Sequence, residues 1–204
     1  EALVGFGLGA AIAGLRPVNV HIRVDFLLLA MNQLANMVSS WRYGTAGVAT
    51  APLVIRAVIG KGWGQSYQHN KSLQSVFAHI PGLKVVMPTT PADAKWLLIA
   101  AIRDENPVLM LEHRLLYDVE GDASDVSSAV LGKARTLRTG SDITIVATSY
   151  MNVEALHAAD ILQRHGVEVE LIDPRTITPL DTDAIVRSVR KTGRCLVADY
   201  DWVF

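Results

Sequence analysis

The chain is short of cysteine and of net charge, and it has no long apolar run; each shortage removes a class of protein. Its single cysteine, Cys195, rules out an intramolecular disulfide framework and fits a reducing compartment. Set in Arg-Cys-Leu-Val-Ala, that thiol is expected to lie buried in a strand, the usual place of a free cysteine. A formal net charge of -1 with no basic cluster argues against nucleic acid as the main partner. The run Leu27-Leu28-Leu29-Ala30-Met31 stops at Asn32, far short of a membrane span. The opening residues Glu-Ala-Leu-Val-Gly lack the basic leader of a signal peptide. No two histidines have metal-ligand spacing beside a carboxylate, so a zinc site is not expected. What remains is 204 residues, 50% hydrophobic, enough for one or two cores.

Hydrophobic periodicity divides these residues into alternating strands and helices. Residues 4–15 read as a helix whose small residues Gly5, Gly9 and Ala13 leave one face nearly bare, suited to close packing of helices; Arg16-Pro17 ends it. Residues 18–24 alternate as a strand, 26–40 are helical, 44–51 form a loop, and 53–59 suit a buried parallel strand. A helix at 72–79, a strand at 84–87, a helix at 91–104 with proline in its first turn, and a strand at 108–112 follow. The polar stretch Gly-Asp-Ala-Ser-Asp-Val-Ser-Ser at 121–128 reads as a linker. Beyond it come a strand at 142–147, a helix at 152–165, a strand at 167–172, a helix at 181–190 and a strand at 195–198. The fold class is therefore α/β, with parallel sheets flanked by helices. The expected division is a first unit over 1–120, a linker over 121–138 and a second unit over 139–204. Both ends look cut, one inside a helix and one at Trp202-Val203-Phe204 straight after a strand, so a longer parent chain is expected.

The most informative stretch is 66–88. A glycine-rich run (Gly60, Gly62, Gly64) delivers Gln68-His69-Asn70 onto a loop, ahead of Pro81-Gly82 and a buried-type strand. A histidine held on a loop between rigid elements is well placed to shuttle protons. His79, inside an apolar run, is expected to be a hydrogen-bonded core residue, His21 a structural one, and His157 and His165 solvated. His113, at a strand end, stays open between the two readings. Gly5-Phe-Gly-Leu-Gly, with Asp25 as the ribose-binding acid, suggests a nicotinamide-dependent oxidoreductase, but no strand precedes those glycines and packing is the better reading. Residues 101–107, Ala-Ile-Arg-Asp-Glu-Asn-Pro, end a helix whose free carbonyls are either an ordinary C-terminus or a cation site.

Taken together, Gly-Leu-Arg-Pro at 14–17, Asp25-Phe26, Gln33, Asn36, Gln68-His69, Pro-Gly-Leu-Lys-Val-Val-Met-Pro at 81–88, Ala-Asp-Ala-Lys at 92–95, Arg-Asp-Glu-Asn-Pro-Val at 103–108 and Arg-Thr-Ile-Thr-Pro-Leu-Asp at 175–181 fall in one register. In that register the chain resembles the beta subunit of the thiamine-diphosphate-dependent decarboxylase component of 2-oxo acid dehydrogenase complexes. The resemblance implies a transketolase-like fold: a pyrimidine-binding domain, then the start of a transketolase C-terminal domain. It implies action on pyruvate, a branched-chain 2-oxo acid or acetoin, with oxidative decarboxylation of the 2-oxo acid and acyl transfer to lipoamide. It also implies an alpha subunit holding the diphosphate through magnesium, in an assembly of two alpha and two beta chains, and a lipoyl-bearing acyltransferase partner. The location implied is the bacterial cytoplasm or the mitochondrial matrix.

Carried over by position, Phe26 would stack on the aminopyrimidine and His69 would assist acyl transfer. Leu53, Ala101, Ile102, Asp104 and Asn106 would match the backbone ligands of a structural potassium ion. The family glutamate that drives the imino tautomer falls one place ahead of Glu1 in a gapless register, or on Glu1 itself after a one-residue shift. Leu29 stands where some relatives place a polar residue. A rival from another class is an assembly module without catalytic competence on its own, favoured by the bare Gly5/Gly9/Ala13 face.

Overall fold

Alternation in the chain becomes two sheets, each strand placed by its apolar content. The structure is a computed structural model and describes residues 1–60, 64–122 and 128–201. The chain opens with α1 (Ala2–Ile12), β1 (Val18–His21) and α2 (Val24–Leu27), the last continued by a 3-10 turn (Leu28–Ala30) and a π-helical stretch (Gln33–Val38). Then come α3 (Trp41–Gly44), β2 (Val54–Ile59), α4 (Gln74–Ala78), β3 (Lys84–Val86), α5 (Pro91–Arg103) and β4 (Val108–His113). Later residues form β5 (Arg135–Arg138), β6 (Ile143–Ala147), α6 (Met151–Gln163), β7 (Val169–Asp173), β8 (Thr176–Thr178), α7 (Thr182–Thr192) and β9 (Cys195–Ala198).

The first sheet has the order β1-β2-β4-β3-β8 and the second β5-β7-β6-β9. Their strands run parallel except for one edge each, β8 against β3 and β5 against β7, which are antiparallel. Strand β4 is buried at every position because it has a neighbour on each side and helices over both faces. Its alternate side chains part company: Leu109 and Leu111 join Ile55, Ala57 and Phe77 in one core, while Val108 and Met110 join Val54, Val86 and Ala101 of α5 in another. Helix α5 starts where Thr90 Oγ1 accepts from the Asp93 amide and Pro91 fills the first turn.

Neither antiparallel edge strand is foreseen in the sequence. Strand β8 matters more, since it lies beyond the linker yet pairs Thr178 with Val85 and Thr176 with Val86. A polar seam reinforces this junction: Thr89 Oγ1 donates to Asp173 at 2.7 Å, Asn152 Nδ2 donates to Thr89 at 2.9 Å, and Arg175 Nη1 donates to Asp93 at 3.2 Å. A second tie is aromatic. The buried His113 ring packs against both Tyr150 and Tyr200, with centroids 5.0 and 5.2 Å away, and the two tyrosine rings lie 6.4 Å from each other.

Three expectations need correction. Cys195 is exposed, because β9 is an edge strand and the neighbouring Leu196 and Val197 are uncovered too. His79 is exposed at the end of α4; the core position there belongs to Phe77. The close approach of α1 is made at Gly7, where a Cβ would run into Asn19 and Leu53, while Gly9 faces open space. The tightest contact, at Gly7, is helix against strand, while α1 also packs against the π-helical stretch Gln33–Val38. Gly5, Gly7 and Gly9 sit inside α1 and not on a strand-to-helix turn, so they make no dinucleotide cradle. Among the described residues no helix is long and apolar enough to cross a membrane. Gly62, residues 123–127 of the linker and Trp202-Val203-Phe204 lie outside the described residues.

Candidate functional site

Strands β1, β2 and β4 are adjacent and parallel, so their carboxyl ends open at one edge of the sheet, where α/β folds hold ligands. A cavity of about 580 Å3 lies there, lined by Arg23 after β1, Phe26 on α2, Gln65 and His69 after β2, and Arg114 and Tyr117 after β4. Phe26 and His69 meet edge to face, their ring centroids 5.3 Å apart and their planes at 69°. Phe26 keeps half of its surface exposed, which leaves an aromatic ring free to stack on a planar group.

One ion pair sets the relation between these rings. Lys71 Nζ, two residues past His69, donates to Asp25 Oδ1 at 3.1 Å, one residue before Phe26, and also to the Tyr67 carbonyl at 3.2 Å. The loop turns sharply: Gly64 and Ser66 have left-handed φ values of 90° and 65°, and Asn70 Nδ2 donates to the Ser66 carbonyl. A 3-10 turn over Tyr67–His69 follows. His69 Nδ1 is enclosed and has no hydrogen-bond partner among the described residues, an unmade bond that an arriving group would satisfy.

Arg23 is only 5% exposed. Burial and the like charge of Arg114 pull its guanidinium below its ordinary value, against the attraction of Asp25. Arg114 pairs with Asp118 at 3.8 Å and lies over the Tyr117 ring at 5.3 Å. Burial first, then Glu112, pushes the Tyr117 phenol up to about 12; its hydroxyl donates to Glu112 at 2.9 Å. Glu112 in turn receives Arg56 through two bonds of 2.5 and 2.8 Å. His113 points away from this cavity, into the tyrosine stack, and burial lowers its imidazole to about 4.

Glu1 is exposed at the start of α1, accepts from Gln33 Nε2 at 3.1 Å, and is not part of the cavity wall. The carbonyls at the end of α5 are engaged. Leu53 O accepts from Val108 N at 3.0 Å and Ala101 O from Asp104 N at 3.2 Å. Arg16 Nη1 donates to Ile102 O at 2.9 Å and to Asp104 O at 3.1 Å, so these two oxygens converge on one cationic point. Asn106 donates from its backbone and side-chain nitrogens to Asp104 Oδ1, at 2.8 and 2.9 Å. Each carbonyl keeps a second lone pair, and hard oxygens of this kind suit a monovalent cation.

Arg23, Arg114 and Tyr117 are not singled out by the sequence, and Lys71 stands there only as a flank of His69. Their common signal is topological: each follows the end of a strand or sits in the loop after one, which only the strand order reveals.

The family model described as the transketolase pyrimidine-binding domain matches residues 1–120, and the one for the transketolase C-terminal domain matches residues 132–204. Among curated proteins, the acetoin:2,6-dichlorophenolindophenol oxidoreductase subunit beta of Cupriavidus necator is 44% identical over 98% of this chain and 59% of its own length. The pyruvate dehydrogenase E1 component subunit beta of Rickettsia felis is 39% identical, and the 2-oxoisovalerate dehydrogenase subunit beta of Bacillus subtilis 40% identical, each over 98% of this chain and 62% of its own. The chain thus spans about 60% of the length of these relatives. A solved structure described as a split-gene transketolase, an inactive beta4 tetramer, shares the fold, with a TM-score of 0.82 at 24% identity over 97% of this chain and 61% of its own. With its sheet order, its cavity at the carboxyl ends of β1, β2 and β4 and these matches in agreement, the chain belongs to the transketolase pyrimidine-binding domain family, continuing into a transketolase C-terminal domain.

Proposed function

We propose that this chain supplies the pyrimidine-side half of a thiamine diphosphate site in a decarboxylase component acting on a 2-oxo acid or on acetoin. The observation that carries this reading is the meeting of Phe26 and His69 in a cavity at the ends of three parallel strands. When bound, the coenzyme supplies the electron sink that lets a carbon–carbon bond break. Phe26 offers its half-exposed ring as a stacking surface for the aminopyrimidine. His69, steadied through Lys71 and Asp25, would move a proton at its open Nδ1 as the lipoyl disulfide opens, one sulfur taking the acyl group and the other leaving as the thiol. Glu1, held by Gln33, is the carboxylate this chain offers toward the ring, unless the residue ahead of it has that role.

The remaining assignments belong to the same proposal. An alpha subunit grips the diphosphate through magnesium, in an assembly of two alpha and two beta chains, and a lipoyl-bearing acyltransferase receives the acyl group. Phe6 and Ile22, 79% and 78% exposed, and the open space at Gly9 form apolar surface of the kind that subunit contacts cover. Carbonyls of Leu53, Ala101, Ile102, Asp104 and Asn106 would hold a potassium ion beside Arg16, bracing the end of α5 against β2. The single cysteine fits the bacterial cytoplasm or the mitochondrial matrix.

The test is reconstitution with the alpha subunit. His69→Ala is expected to slow acyl transfer to lipoamide by about 10^2 to 10^3-fold, while decarboxylation read with an artificial electron acceptor keeps most of its rate. Equal loss of both steps would remove His69 from this role. Turnover by the chain without an alpha subunit would remove the shared-site reading.

A further inference from the structure

Two cavities lie side by side on one face of the first sheet. Along the β2–β4 ladder Arg56 stands opposite Met110 and Val58 opposite Glu112, so these four share the face that α5 covers. Val58 lines the cavity that holds Phe26 and His69, whereas Arg56, Met110 and Glu112 line a second cavity of about 570 Å3. Neighbouring strands are about 4.8 Å apart, so the partition between the two spaces is one side chain thick. Among the described residues, Tyr117 is the one common to both linings. Its hydroxyl donates to Glu112 at 2.9 Å, Glu112 is gripped by Arg56 through two bonds, and Arg114 lies over the ring at 5.3 Å. The ring is thus pinned at its tip and on its face. Behind it, Ala94 and Leu98 of α5 join Met110, Leu116 and Val119 in walls that are mostly apolar. The charges of Arg56 and Glu112 answer each other, and Lys95, also in the wall, is exposed and 4.8 Å from the Trp96 ring. A space of this kind takes an alkyl or aryl chain better than an ion.

We propose that Tyr117 is the size gate of the substrate site: its ring stops a short side chain at the wall and closes off the apolar cavity that a longer chain needs. This inference rests on the proposed function and deepens it. Selection here works by exclusion. A longer chain has to push aside a ring held at two points, and doing so leaves the buried Glu112 carboxylate one donor short. Removing the ring joins the two cavities and turns the second into a seat for the far end of the chain.

The experiment uses the chain assembled with its alpha subunit and compares kcat/KM for 2-oxooctanoate with that for pyruvate. Tyr117→Ala should raise this ratio about tenfold or more, since each methylene group taken out of water is worth about fourfold. Tyr117→Val, a milder truncation, should move it the same way, and Tyr117→Phe, which keeps the ring and drops only the bond to Glu112, should move it less. Ala94→Phe fills the second cavity from α5: it should cancel the gain when added to Tyr117→Ala and leave the ratio of the intact chain as it is. Calorimetry with octanoate, which has no keto group and cannot be decarboxylated, reads the partition whichever substrate is turned over. Octanoate should bind Tyr117→Ala about tenfold more tightly than the intact chain, and Ala94→Phe should remove that gain. If pyruvate is turned over but neither the Ala nor the Val variant raises the ratio, the gate falls and the reaction stands. A gain that survives Ala94→Phe also overturns the gate, because the longer chain then lies elsewhere. If neither a 2-oxo acid nor acetoin is turned over while octanoate binding follows the expected order, the reaction falls and the gate stands.

Discussion

At the seam between the sheets, Asp93, Asn152 and Asp173 have no exposed surface; the two carboxylates are engaged by Thr89, Arg175 and the backbone of the same chain, and Asn152 donates to Thr89, its Oδ1 alone of these having no partner among the described residues. At the cavity, Phe26 is half exposed, His69 Nδ1 lacks a partner among the described residues, and Lys71 stays partly in water. Residue types overlap between the two places, since carboxylates, arginines and small polar groups occur in both. What differs is who supplies the partners. In the seam the chain answers its own charges, so the cluster holds elements together. In the cavity some groups await a partner from outside, so the cluster is fit for binding and proton transfer.

The sharpest way to break this contrast is to remove one carboxylate from each place. Asp93→Ala leaves Arg175 and Arg135 in the seam without their shared counter-charge, and loss of one partner of a buried pair costs about 3–5 kcal/mol. Asp25→Ala removes the partner of the half-exposed Lys71 and an attraction on Arg23, for less than the seam variant costs, and should lower turnover by loosening His69. Denaturant titration of both variants reads the difference; equal losses would erase the distinction.

A smaller effect follows pH. Burial, first among the causes, raises the Asp173 carboxyl to about 7, with Asp93 adding to it. A carboxyl free in the unfolded chain titrates near about 4, so between about pH 4 and 7 the folded state holds the extra proton. Stability from this group is complete below that window and is lost as pH rises through 7, by at most about 1.4 kcal/mol per pH unit. Melting curves at pH 5 and pH 8 should show the decline, and Asp173→Asn should flatten it. The smallest effect belongs to the end of α5, where replacing choline by potassium at equal ionic strength should raise the melting temperature by about 1–3 °C through ion binding. No difference between the two salts would leave Arg16 as the cation of that corner.

How much the sequence discloses follows the range of the forces involved. Val-Ile-Arg-Ala-Val-Ile and Val-Leu-Met-Leu announce β2 and β4 because nearly every residue is driven out of water. Thr90-Pro91 announces α5 because a cap acts within a single turn. Phe26 and His69 are legible through a resemblance of ordered motifs, and their contact bears on it directly. Strand β8 is hidden: Thr-Ile-Thr next to Pro179 has no pattern of its own, and it becomes a strand only by meeting β3. Cys195 misleads for the same reason, since an apolar neighbourhood in sequence does not say whether a strand is central or at an edge. Arg23 and Arg114 come together only because β1, β2 and β4 lie side by side.

Strand β8 also bears on how the molecule would respond to a nick. A protease cutting between Asp122 and Ser128 would leave two polypeptides still stitched along β3 and β8 and through the Met87 amide to the Arg175 carbonyl. Such fragments should co-elute from a sizing column and part only in denaturant.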